Sequence, residues 1–148
     1  MKKNLLFLCL LIFAAPIFAN QTLIIKRDSA AKTPKTMTKQ LGKIEVYPFY
    51  GYFIGNSLYP VQTINKQINA GGAVSQQINI PNSATKLIFG LGFAYGKSGN
   101  NMFLGYCQSS AMPSSVKNGS HIILRVNKVK WNSTSYEPSL NCTLEKVL

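Results

Sequence analysis

The chain has 148 residues and carries 16 Lys and Arg against 4 Asp and Glu, with one His, for a formal net charge of +12 at pH 7. So few carboxylates exclude a calcium loop and leave little material for acid–base catalysis, and no apolar run reaches the roughly 20 residues that a membrane-spanning helix requires. What the composition favours is an anionic partner: phospholipid headgroups, lipopolysaccharide, nucleic acid or acidic glycans.

Residues 1–19, MKKNLLFLCLLIFAAPIFA, read as a Sec-type secretory signal peptide of bacterial character. Lys2 and Lys3 form its basic start, Leu5 to Phe13 its apolar centre, and Ala19 the expected cleavage position. Cys9 lies inside the apolar centre and leaves with it. Cleavage lowers the charge to +10 and leaves 129 residues, enough for one domain exported to the periplasm or beyond.

Residues 20–43 are polar and Lys- and Thr-rich, and they hold Lys26, Arg27, Lys32, Lys35, Lys39 and Lys43. A basic, largely disordered arm is expected here, with Leu23 to Ile25 docking at most as a short edge strand. Residues 44–148 form the folded domain. It opens on an aromatic run, Tyr47, Phe49, Tyr50, Tyr52 and Phe53. Apolar and polar residues then alternate over Ser57–Ile68, Ala73–Ile80, Thr85–Tyr95, Met102–Gln108 and His121–Trp131, with a last strand from Leu140. Turn residues separate these segments and no sustained 3.6-residue stripe occurs, so the expected fold is all-β: a single antiparallel β-sandwich, jelly-roll-like.

Within Thr85–Tyr95, the stretch FGLGFAYG places Phe89, Leu91, Phe93 and Tyr95 on one face and Gly90, Gly92, Ala94 and Gly96 on the other. A bare strand face implies a close approach. Either the bulky face fills the core and the bare face is shallow or covered, or Gly90 and Gly92, with Tyr50 and Tyr52 as further candidates, floor a groove that takes a flat ligand or a partner's strand. Cys107 and Cys142 are the two cysteines left after export and are expected to form one disulfide.

The segment HIILRVNKVKW brings Arg125, Lys128 and Lys130 close to Trp131. Strict alternation would put Arg125 with Trp131 and send both lysines to the opposite face, unless the strand bulges. Lys117 is a further candidate for the same anion-binding set. With two arginines in the whole chain, base-reading nucleic-acid recognition is not expected. His121 is the single histidine and has no carboxylate near it in sequence. No nucleophile elbow, zinc motif or phosphate loop occurs, so neither catalytic residues, cofactor nor metal is expected.

The function expected from the sequence is non-catalytic binding to anionic surfaces, with phospholipid headgroups, phosphoinositides included, as the favoured partner. The alternative is a carbohydrate- or protein-binding module, such as an adhesin subunit or inhibitor, using the aromatic run and the glycine-rich strand. A third reading is a basic secreted hydrolase centred on His121.

Overall fold

The computed structural model of the protein describes residues 18–107, 110–111 and 121–147. The expected signal peptide, up to residue 17, and Lys117 lie outside the described residues. The elements run β1 (Phe18–Arg27), α1 (Lys35–Leu41), β2 (Glu45–Ile54), β3 (Ser57–Leu58), β4 (Gln62–Thr63), β5 (Ala73–Pro81), β6 (Lys86–Tyr95), β7 (Asn101–Tyr106), β8 (Ser110–Ala111), β9 (His121–Asn132) and β10 (Glu137–Val147). They build two sheets. One has the order β10-β9-β1-β5; the other has β3-β2-β6-β7, with β4 also on β2 and β8 on β6; one of the two is curled into a half-barrel. The fold is all-β, as the alternating pattern predicts.

Two expectations are corrected. The segment 20–43 is not a disordered arm, and Leu23–Ile25 do not sit at an edge. β1 lies between β5, which it pairs antiparallel, and β9, which it pairs parallel from Thr22↔His121 to Arg27↔Val126. The sandwich is therefore not purely antiparallel. The physical reason is burial: Leu23 and Ile25 are fully buried, and two interior aliphatic side chains each contribute about 1.5–3 kcal/mol, enough to hold a short strand whose flanks are polar. Gln21, also buried, accepts from the Ile80 N–H at 2.9 Å and donates to the Ile80 carbonyl at 3.3 Å. These bonds lie on the mature side of the expected cleavage point.

The helix α1 escapes a periodicity search because it is two turns long. Met37 is fully buried, Leu41 packs on the core one turn later, and Gly42 ends the helix at φ +85° with its N–H on the Thr38 carbonyl at 2.8 Å. Both sheets feed one core, in which Leu23, Ile25, Ile122, Leu124 and Val126 face Val46, Leu87, Phe89, Leu91 and Phe93. The Cys107–Cys142 disulfide is present, with Cα atoms 5.4 Å apart, and joins the end of β7 to β10 beside a Cys107↔Leu140 bridge. Closing its loop stabilises the fold by about 3.8 kcal/mol in the chain-entropy account.

The bare face of β6 is covered from within. The fully buried ring of Phe49 lies over Gly90, its Cζ 2.5 Å from where a Cβ would stand, and the Gly105 carbonyl also occupies that space. Tyr106 meets the same Phe49 ring edge-on at 5.2 Å. At Gly92 the position is filled by the Met102 thioether, with Sδ at 2.5 Å. Glycine here admits groups from the neighbouring strands across the sheet, so of the two readings the covered face holds and Gly90 and Gly92 floor no open groove. Adding a methyl group at either position tests this. Gly90→Ala is expected to destabilise by about 3 kcal/mol, because backbone and a buried ring must both yield. Gly92→Ala is expected to cost about 1 kcal/mol, since the end of a flexible methionine can swing away. Urea midpoints of the two variants measure the difference.

Candidate anion-binding surface

Strand directions place the candidate residues. β9 ends at Asn132, β6 at Tyr95, β1 at Arg27, while β2, β7 and β10 begin on the same side, because Glu45 pairs with Ala94, Tyr95 with Asn101 and Asn132 with Glu137. This side, the α1 end, carries the 28–44 connection, the 96–100 turn and the 132–136 hairpin turn.

Four aromatic side chains close the α1 end. The rings of Tyr95 and Phe103 stack at 5.2 Å, Phe103 meets Trp131 at 5.4 Å and Tyr136 at 6.5 Å, and Trp131 meets Tyr136 edge-on at 5.9 Å. The Trp131 Nε1–H donates to Gln40 Oε1 on α1 at 2.9 Å, and Gln40 Nε2 donates to the Ser133 carbonyl at 3.2 Å, so helix and hairpin are tied through the indole. In the hairpin turn, Asn132 Oδ1 accepts from the N–H groups of Thr134 and Ser135. Tyr136 then adopts φ +57°, a backbone conformation that a side chain disfavours by about 1–2 kcal/mol, and its ring remains 46% exposed. Sequence reasoning singled out Trp131 but missed Tyr95, Phe103, Tyr136 and Gln40. Only their assembly from four separate elements reveals them.

The same end carries exposed lysines: Lys32, Lys35, Lys39 and Lys43 on α1 and its flanks, and Lys97 in the 96–100 turn. Lys43 and Glu45 form a ridge, paired at 3.6 Å, between two open cavities. One, of about 270 Å³, is lined by Lys43, Lys97 and the Gly96–Gly99 turn. The other, of about 460 Å³, is lined by Lys32, Lys43 and the loop that carries Gln67 and Asn69.

The remaining expected site residues have other roles. Arg27 is 4% exposed and donates to the carbonyls of Ala31 at 2.7 Å and Ile68 at 2.8 Å and to Thr33 Oγ1 at 3.1 Å. It ties the β1–α1 connection to the loop before β5, and burial lowers the pKa of its guanidinium. It contributes to the wall of the 460 Å³ cavity, but its N–H groups are committed to these three neutral acceptors, so its place among the exposed anion-binding cations is corrected. Lys26 and Arg125, cross-strand partners on the outer face of the four-stranded sheet, share Glu145: Lys26 Nζ at 3.2 Å, Arg125 Nε at 2.7 Å. Arg125 also approaches Asp28 at 3.8 Å. Their charge is largely answered inside the molecule.

A bulge settles the geometry of β9. Pairing shifts between Asn141↔Lys128 and Cys142↔Val126, leaving Asn127 as the extra residue. Val126 and Val129 therefore both face the core, and Arg125, Lys128 and Lys130 share the outer face, with Trp131 inside. Tyr50 is buried and its hydroxyl meets Gln62 Oε1 at 2.8 Å; burial, and then Tyr52, raises its pKa. Tyr52 stacks on Tyr59 at 5.2 Å. Within the run 47–53, Phe49 and Tyr50 are buried, while Tyr47, Tyr52 and Phe53 are part-exposed, with Lys86 Nζ 5.6 Å from the Phe53 ring centroid.

His121 begins β9 at the far end from Asp28, Glu45 and Glu137, and Glu145 is held by Lys26 and Arg125, so among the described residues no carboxylate is paired with it. Among the described residues no three His, Cys, Asp or Glu side chains converge to hold a metal, and no helix is long and apolar enough to cross a membrane.

No protein-family model matches the chain, and comparison with curated proteins found no match. Solved structures with a partial likeness include the membrane-binding domain of pneumolysin (TM-score 0.31, 10% identity, 86% of this chain and 98% of that one). Whole pneumolysin (0.31, 13% identity) and a disulfide-locked mutant of intermedilysin with human CD59 (0.31, 10% identity) also overlap. The chain spans only 24% and 25% of the length of those two. A TM-score near 0.3 does not establish a shared fold, and these descriptions belong to those proteins alone.

Two measurements follow from this geometry. The bond from Arg125, and then that from Lys26, lowers the Glu145 pKa. A depressed carboxylate contributes stability above its unfolded value, about 4.3, and loses it as pH falls through the lower folded value. Glu145→Gln is thus expected to be less stable than wild type at neutral pH, with the gap closing in acid; a gap that stays constant with pH contradicts the pairing. At the hairpin, Tyr136→Gly relieves the backbone strain while Tyr136→Ala retains it. The glycine variant is expected to melt at least as high as the alanine one, although glycine elsewhere costs about 1 kcal/mol relative to alanine.

Proposed function

We propose that this is an exported, non-catalytic binding protein for anionic surfaces, with phospholipid headgroups, phosphoinositides included, as its ligands. One observation carries this reading: the α1 end gathers Lys32, Lys35, Lys39, Lys43 and Lys97 against Glu45 and Glu137, while Asp28 and Glu145 are used up by Lys26 and Arg125. Lysines suit this role because a compact, rotatable point charge meets a fluid headgroup layer without needing a fixed bidentate partner. The disulfide fits an oxidising compartment, in keeping with export.

Near an anionic membrane each lysine contributes on the order of 1 kcal/mol, so five support reversible, salt-sensitive adsorption. Deleting residues 20–43 cannot test it, since β1 would be lost. Instead, co-sedimentation with phosphatidylserine or phosphoinositide vesicles compares wild type with Lys35→Gln/Lys39→Gln. Binding is expected at low salt, reduced at about 0.15 M, and on the order of tenfold weaker in the double variant. Neutral vesicles should not retain the protein. Equal binding by both proteins sinks this assignment of the surface, and no binding to any vesicle sinks the function.

A further inference from the structure

We propose that the α1 end meets the bilayer with the 132–136 hairpin leading, and that Tyr136 and Trp131 enter the headgroup layer while the lysines around them engage lipid phosphates. This rests on the surface-binding reading above and adds to it an orientation and an apolar contribution. The aromatic cluster is the largest group of partly exposed rings among the described aromatic contacts. Its rings lie 5.2–6.5 Å apart, centroid to centroid, and so pack on one another, leaving no slot for a sugar ring or a base between them. A ligand meets this cluster from outside, as a surface.

A bilayer interface has the matching chemistry. Tyrosine and tryptophan settle where an apolar ring and a polar tip are both accommodated, at headgroup depth. The Trp131 N–H is already bonded to Gln40, so the indole can leave bulk water without an unmet donor. Tyr136 is kept outward by the turn that Asn132 organises, at a backbone conformation an ordinary hairpin would give to glycine. Lys39 adjoins Gln40, whose side chain bonds the Trp131 indole, and Lys97 follows Tyr95 by two residues, so positive charge flanks the cluster from α1 and from the 96–100 turn. That charge complements an anionic leaflet and would be idle against a neutral apolar partner.

Trp131 is the single tryptophan of the chain, which makes the test direct. Its emission is recorded with the full protein bound to anionic vesicles, alongside co-sedimentation, and with lipids brominated in the upper acyl chain. A blue shift and quenching by the brominated lipid are expected, with Tyr136→Gly reducing both the shift and the bound fraction several-fold. Co-sedimentation with unchanged, unquenched Trp131 emission overturns the inference while leaving surface adsorption standing. Absence of co-sedimentation overturns both. Equal binding and equal quenching in Tyr136→Gly would remove Tyr136 from the contact and refute the leading hairpin.

Discussion

The parallel pairing of β1 with β9 holds the molecule in the form described. Residues 22–27 lie against residues 121–126, nearly a hundred positions later, and on the other side against β5. Nothing local enforces that arrangement; it exists because Leu23 and Ile25 bury completely in a core built by both sheets. Everything after β1 inherits its position. Arg27 ends the strand with three hydrogen bonds to neutral acceptors, fixing where the chain turns toward α1. Gln40 on α1 in turn reaches the indole of Trp131 at the end of β9. The lysines of residues 32–43 are thus presented from a fixed platform.

That platform changes how the positive charge works. A flexible arm would lose chain entropy on adsorbing, whereas a folded surface loses only side-chain freedom. It also separates two kinds of cation that composition alone treats alike. Lys26 and Arg125 are committed to Glu145 on the outer sheet face, and Arg27 is an interior residue. The lysines near α1 meet few carboxylates and stand at the same end of the fold as a cluster of rings. Exposed ion pairs such as Lys43–Glu45 hold little energy, so an approaching phosphate competes with them easily.

Much of the fold was legible in the sequence, and the failures have physical causes. Period-2 alternation located β5, β6, β7 and β9, a last strand was expected from Leu140, and two cysteines in a chain expected to be exported indicated their disulfide. β1 was underestimated because three apolar residues in a polar stretch look marginal until two neighbouring strands are in place. α1 was missed because two turns cannot establish a helical period. The glycine face of β6 was correctly read as a close approach, but the occupant, Phe49 from β2, belongs to a strand pairing that spacing does not disclose. The same holds for the aromatic cluster: Tyr95, Phe103, Trp131 and Tyr136 are unremarkable singly. Only the bulge at Asn127 reconciles the alternation of β9 with Trp131 facing inward and Lys128 and Lys130 outward.

Amide hydrogen exchange of the folded protein, free and bound to anionic vesicles at low salt, tests the central claim most directly, because it maps the contact without altering a residue. The account predicts slowed exchange at residues 28–44, 96–100 and 132–136, with β5 and the far end near His121 unchanged. Protection confined to the β5 edge or to the outer face of β9 and β10, with none at the α1 end, would contradict it.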